Sequence, residues 1–101
     1  MTLDHTMEGR ELTVRLTGEL DHHRAKEIMA ELNRQIDIIL PKKLILDLKE
    51  LSFTDSSGIA VLLRTSRRMS QIQGEFQVVR TPKQAKKVFF AAGLDRMIRF
   101  E

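Results

Sequence analysis

With 101 residues, 42% of them hydrophobic, the chain supports one compact domain with a single core, spanning residues 1–101, and is too short for two ordinary ones. It has no Cys, which excludes disulfides, thiolate nucleophiles and thiolate metal sites, and no apolar run of the length a secretory leader or a membrane span needs, so a cytosolic protein without membrane contact is expected. The formal charge of +3 raises the question of nucleic acid, but Trp and Tyr are absent, the Phe residues mostly sit at core-like positions, and Arg64, Arg67, Arg68, Lys83, Lys86 and Lys87 fall on outer helix faces. Direct nucleic-acid binding is therefore not expected.

A weak strand over residues 3–7 turns at Glu8-Gly9-Arg10 into a second over residues 12–18, where apolar and polar residues alternate with period two. Asp21 is a good helix cap, and Ala25, Ile28, Met29, Leu32, Ile36 and Ile39 follow at helical spacing until Pro41 biases Leu40 away from helical geometry. The nearly continuous apolar run from Leu44 to Leu48 predicts a central strand covered on both faces. A second helix begins at Ser56 and Ser57, turns Ile59, Leu62, Leu63, Met69 and Ile72 inward, and stops at Gly74. Residues 75–79 form a further strand. Thr81-Pro82-Lys83-Gln84 has the pattern of a capping box opening a third helix, which buries Ala85, Val88, Phe89 and Ala92 and ends at a left-handed Gly93. A turn over residues 94–97 leads to a short last strand at Ile98-Arg99-Phe100.

This alternation predicts an α/β domain with a mostly parallel sheet of four to five strands, an N-terminal antiparallel hairpin and helices packed on it. Functional loops then gather at the carboxyl ends of the parallel strands. The loop over residues 18–23 follows the second strand and the loop over residues 53–58 follows the third, so neighbouring strands present them side by side.

In the second loop Asp55 or a neighbouring Ser caps the helix, Ser56 is the candidate for regulatory phosphorylation, and Gly58 leaves room for a partner to approach. Ser56 or Ser57, His22 or His23, and Asp21 or Asp55 also supply the residue types of a hydrolase triad. However, Asp-Ser-Ser-Gly is not a Gly-x-Ser-x-Gly elbow, and so small a sheet implies no deep pocket, so no catalytic residue is assigned. A metal site from His5, Asp21, His22 and His23 is not expected, since adjacent His residues diverge and His5 belongs to another element. No phosphate-binding Gly-x-x-x-x-Gly-Lys-Ser/Thr loop is present, and no cofactor is expected.

Thr17-Gly18-Glu19-Leu20-Asp21-His22-His23 and Leu51-Ser52-Phe53-Thr54-Asp55-Ser56-Ser57-Gly58 together resemble the STAS-domain anti-sigma factor antagonists, in the form of the sporulation sigma-F branch. The resemblance spans nearly the whole chain. It implies a non-enzymatic switch: the unmodified protein binds an anti-sigma factor that is also an ATP-dependent serine kinase, which frees the sigma factor. The kinase then phosphorylates Ser56, and a PP2C-type phosphatase restores the hydroxyl. By the same resemblance Asp55, Ser57, Gly58 and Ile59 meet the partner, joined by Asp21 and His22 from the neighbouring loop, where Asp21 as a simple cap and His22 as a bystander are the alternatives. A STAS scaffold module, or a general-stress antagonist of another switch kinase, is the alternative function. Departures from the family pattern are Thr54, commonly a larger apolar residue, and Ala60 and Arg64, often Gly in the sporulation branch. The chain also stops at Glu101, where family members usually continue into a last helix.

Overall fold

The structure is a computed structural model and describes residues 2–101. Strand β1 (Thr2–Glu8) turns at Gly9 into β2 (Glu11–Leu20), and helix α1 (His22–Ile39) crosses to β3 (Lys43–Asp47). Next come β4 (Leu51–Thr54), α2 (Ser56–Gln71), β5 (Glu75–Val79), α3 (Lys83–Ala91), a single 3-10 turn (Leu94–Arg96) and β6 (Arg99–Phe100). The main sheet runs β1-β2-β3-β5-β6, with β4 pairing separately to β2. All pairings are parallel except the β1–β2 hairpin, as expected.

One face of the sheet carries the core. Leu12, Val14 and Leu16 of β2, Leu44 and Leu46 of β3 and Val78 of β5 are sealed beneath Leu32 and Ile36 of α1, Leu62 and Met69 of α2 and Phe89 of α3. Burial of each such side chain contributes about 1.5–3 kcal/mol against the entropy of ordering the chain. The other face corrects the expectation for β3. Ile45 is only half-buried there, and the apolar run from Leu44 to Leu48 is interrupted by Asp47, which is buried but charged. The carboxylate of Asp47 accepts from Arg80 through both oxygens and from the Lys49 N–H at 3.1 Å, with Arg15 3.9 Å away. Burial raises its pKa, and Arg80, Lys49 and Arg15 together outweigh that and hold it below the ordinary carboxylate value.

Local details depart from the sequence expectation for identifiable reasons. Among the described residues the sheet has six strands, because residues 51–54 join it as β4. The capping box at α3 does not form. Pro82 is the N-cap without a side-chain bond, and the Gln84 amide instead pairs with the Thr54 backbone, accepting from its N–H at 3.1 Å and donating to its carbonyl at 2.9 Å. Helix α2, expected to stop at Gly74, ends at Gln71, and Gln73 is left-handed with φ 59°. Gly74 sits in a tight place, where a Cβ would lie 2.5 Å from the Met69 methyl, the end of a flexible side chain, and 3.2 Å from two backbone carbonyls. Only Phe89 is a fully buried Phe, whereas Phe53 and Phe90 are exposed, as is Ala92. The left-handed Gly93 after α3 is as predicted.

Candidate functional site

Strand β2 changes partner at Gly18. Up to Arg15 it pairs with β3, where Arg15 stands opposite Asp47; from Gly18 onward it pairs with β4, with a register shift between Gly18 and Glu19. Gly18 has φ 109°, a region open to glycine and strained for other residues, and its N–H donates to the Glu50 carbonyl at 3.1 Å. This irregularity brings Leu20 and Thr54 into register as the last residues of adjacent parallel strands. Helices α1 and α2 then start side by side, and the two loops meet through β4 rather than through the third strand, as the sequence had suggested. Residues 18–20 remain strand, so the first loop contracts to Asp21.

Each helix start is closed by an Asp. Asp21 is the N-cap of α1: one carboxylate oxygen accepts from the Arg24 N–H at 3.1 Å and the other from the Arg24 guanidinium at 2.9 Å. Desolvation raises its pKa, but the Arg24 backbone and side chain, with His23, leave it lowered. Asp21 is thus occupied within the chain, whereas His22 and His23 are exposed in the first turn of α1. Asp55 is the N-cap of α2 and accepts from the Ser57 N–H at 2.8 Å, which makes Ser56 the first residue of the helix. Ser56 is exposed and Ser57 half-buried, and among the described residues neither hydroxyl has a hydrogen-bond partner.

Gly58 serves packing within the chain. It is buried, and a Cβ on it would lie 2.1 Å from Thr54 Oγ1, 3.3 Å from Phe89 and 3.4 Å from Leu20. The space it leaves is therefore filled by Thr54 from inside the molecule rather than held open for a partner. Thr54 is fully buried, with Oγ1 within hydrogen-bonding distance of the Leu20 carbonyl at 3.0 Å and the Asp55 carbonyl at 3.2 Å. This bond ties the end of β4 to the end of β2 and removes Thr54 as an accessible hydroxyl. Ile59 is half-buried against the core. Phe53, which sequence reasoning left out of the site, is 40% exposed just before it. Regular alternation from Leu51 would have turned it inward, but the pairing shifts between Leu51 and Phe53 and Thr54 takes the inner position instead.

The STAS-domain family matches residues 3–101. The chain belongs to the STAS-domain family. It is 34% identical over 83 residues to an anti-sigma F factor antagonist of Lysinibacillus sphaericus, an overlap covering 82% of this chain and 71% of that one. Its fold matches the anti-sigma factor antagonist SpoIIAA in its unphosphorylated form with a TM-score of 0.84 at 29% identity, covering 99% of this chain and 88% of the other. The Bacillus cell fate determinant SpoIIAA in its phosphorylated form matches with a TM-score of 0.75 at 29% identity, covering 99% and 91%.

In this STAS domain the two helix starts flank a groove of about 270 Å³, to which α1 contributes His22, Lys26 and Met29 and α2 contributes Ser57, Val61 and Arg64. His22 and Ser57 share the groove, but no hydrogen bond joins a Ser to a His among the described residues, and the Asp21 carboxylate that would orient a base is engaged by Arg24. The His22 and His23 rings meet edge to face with centroids 6.1 Å apart, and no cluster of three metal-ligating side chains occurs among the described residues. No helix among these residues is long and apolar enough to cross a membrane.

Proposed function

We propose that this STAS domain is an anti-sigma factor antagonist whose unmodified form binds an anti-sigma factor acting also as a serine kinase, and which is switched off by phosphorylation of Ser56. The observation that carries the reading is the position of Ser56: exposed, without an internal partner, first in α2, and beside a second helix start that carries His22. A kinase requires a hydroxyl it can reach and draw into its own nucleotide site. Ser56 meets that requirement; Thr54 does not, and Ser57 is half-turned into the groove.

A phosphate adds about −1.5 to −2 charges at neutral pH. At the first position of α2 it faces the positive end of the helix dipole, so the fold tolerates it, although the Ser57 and Gly58 N–H groups already donate to Asp55. An interface matched to a neutral hydroxyl does not, because the added charge must be desolvated next to Asp55. A loss of about 3 kcal/mol weakens binding more than a hundredfold, with no change of fold. Partner contact is assigned to Ser56, Ser57, His22 and the exposed Phe53. Asp21, Asp55 and Gly58 act beneath them by fixing the two helix starts, and Ile59 adds the edge of its half-buried side chain. A PP2C-type phosphatase removes the group and rearms the antagonist.

The test is incubation with the cognate anti-sigma kinase and ATP, followed by mass spectrometry and a binding assay. One phosphate on Ser56, lost binding after modification, and a Ser56→Ala variant that binds but accepts no phosphate are expected. Phosphate confined to Ser57 or Thr54 refutes the site assignment.

A further inference from the structure

The groove between α1 and α2 has properties that phosphorylation of Ser56 does not require. Its floor is apolar, formed by Ala25 and Met29 of α1 and Ala60 and Val61 of α2, and its rim is cationic, formed by Lys26 and Arg64. No Asp or Glu lines it. The groove continues along the same helix pair past Arg64 to Arg67 and Arg68, where the one carboxylate, Asp37, is already paired with Arg68. Among the described residues no carboxylate lies within 4.0 Å of Lys26, Arg64 or Arg67. Other cations of the chain do have such partners: Arg24 pairs with Asp21, Arg34 with Glu31, and Arg80 with Asp47.

Lys26 and Arg64 on the apolar groove, with Arg67 on the polar cavity that adjoins it, are unpaired like charges that repel one another in the free protein, and a partner bearing carboxylates relieves that repulsion on docking. The positive ends of the α1 and α2 dipoles, at the Ser57 end of the groove, add to the same field. The slot, about 270 Å³, is large enough for a side chain; no Phe, Tyr or Trp lines it, and its one ring, the His22 imidazole, stands edge to face with His23.

We propose that this groove is a second part of the docking surface and that it seats an acidic amphipathic segment of the anti-sigma partner: an apolar side chain on Met29 and Val61, with flanking carboxylates on Lys26 and Arg64. The inference rests on the reading of the protein as an anti-sigma antagonist and deepens it. Ser56 decides whether the complex forms. Lys26 and Arg64 decide which anti-sigma factor it forms with. Charged rims of this kind act chiefly on association rate, salt dependence and choice of partner.

The experiment compares wild type and Lys26→Glu/Arg64→Glu for binding to the cognate anti-sigma kinase at low and physiological salt, with thermal melts of both proteins. Both substituted side chains are exposed, so the melts are expected to agree with wild type. The expected result is binding at least tenfold weaker than wild type by the charge reversal, with most of the salt dependence gone. Partial recovery is expected when an acidic residue of the partner is changed to Lys. Binding of the reversed variant within twofold of wild type overturns the inference and leaves the phosphorylation switch standing. Failure of wild type itself to bind the kinase overturns both. A single-stranded oligonucleotide is the control: loss of oligonucleotide binding on reversal, with kinase binding unchanged, assigns the groove to nucleic acid and also overturns the inference.

Discussion

Replacing Gly58 by Ala tests how the switch loop is built. The new Cβ would lie 2.1 Å from Thr54 Oγ1, more than 1 Å inside van der Waals contact, and 3.3–3.4 Å from Phe89 and Leu20. Thr54 has no free space to withdraw into, because it is fully buried and its hydroxyl is bonded to the Leu20 carbonyl at 3.0 Å. Overpacking of this kind costs about 1–3 kcal/mol, and giving up the buried hydrogen bond costs about 1 kcal/mol more. The gain in helix propensity from Gly to Ala offsets at most about 1 kcal/mol. The net expectation is a destabilisation of about 2 kcal/mol, or a fall of roughly 10 °C in Tm for a domain of this size. With Thr54→Ala in the background the obstructing oxygen is gone, so Gly58→Ala becomes neutral or slightly stabilising. Urea denaturation of the four proteins, followed by circular dichroism, completes a double-mutant cycle with an expected coupling of about 2 kcal/mol. An equal cost for Gly58→Ala in both backgrounds would refute the packing account and return Gly58 to the surface role suggested by its place in the motif.

Other outcomes follow from the same geometry. Ser56→Asp leaves Tm unchanged or raises stability by about 0.3–1 kcal/mol, since an acid at a helix start is favourable, while weakening binding to the kinase; a fall in Tm parallel to the binding loss would point to unfolding instead. Gln84→Ala strips two hydrogen bonds from the Thr54 backbone and costs about 1–2 kcal/mol, seen as faster hydrogen exchange at the Thr54 amide. The folded-state pKa of Asp47 lies below its ordinary value of 3.8, so its contribution to stability is present above that pH and is lost as pH falls through the folded pKa. Asp47→Asn therefore lowers Tm at neutral pH and flattens the acid limb below about pH 4; an unchanged acid limb would count against the ion pair with Arg80.

Much of the domain was legible in the chain. Period-two alternation located β2, helical spacing located α1 and α2, and Asp21, Asp55 and Gly93 marked helix ends through the chemistry of backbone groups that no helix satisfies internally. Ser56 was legible because Asp55 sets where α2 begins. The errors have a common origin in contacts between residues distant in sequence. Gln84 is about equally suited to closing its own helix and to pairing with Thr54, and only the docking of α3 beside β4 decided in favour of Thr54. Asp47 interrupts an apolar strand that reads as buried on both faces, and its acceptability depends on Arg80, which lies 33 residues away.

By itself, then, the sequence determined the order of the elements, the apolar face of each helix, and the capped turn that exposes Ser56, because these depend on residues within a few positions of one another. Tertiary structure decided the rest. The irregularity at Gly18 turns β2 from β3 to β4 and so sets the two helix starts together. That placement makes Gly58 an internal contact of Thr54 and brings Lys26 and Arg64 to one groove. Such pairings depend on strand register and helix docking, which local propensity does not encode.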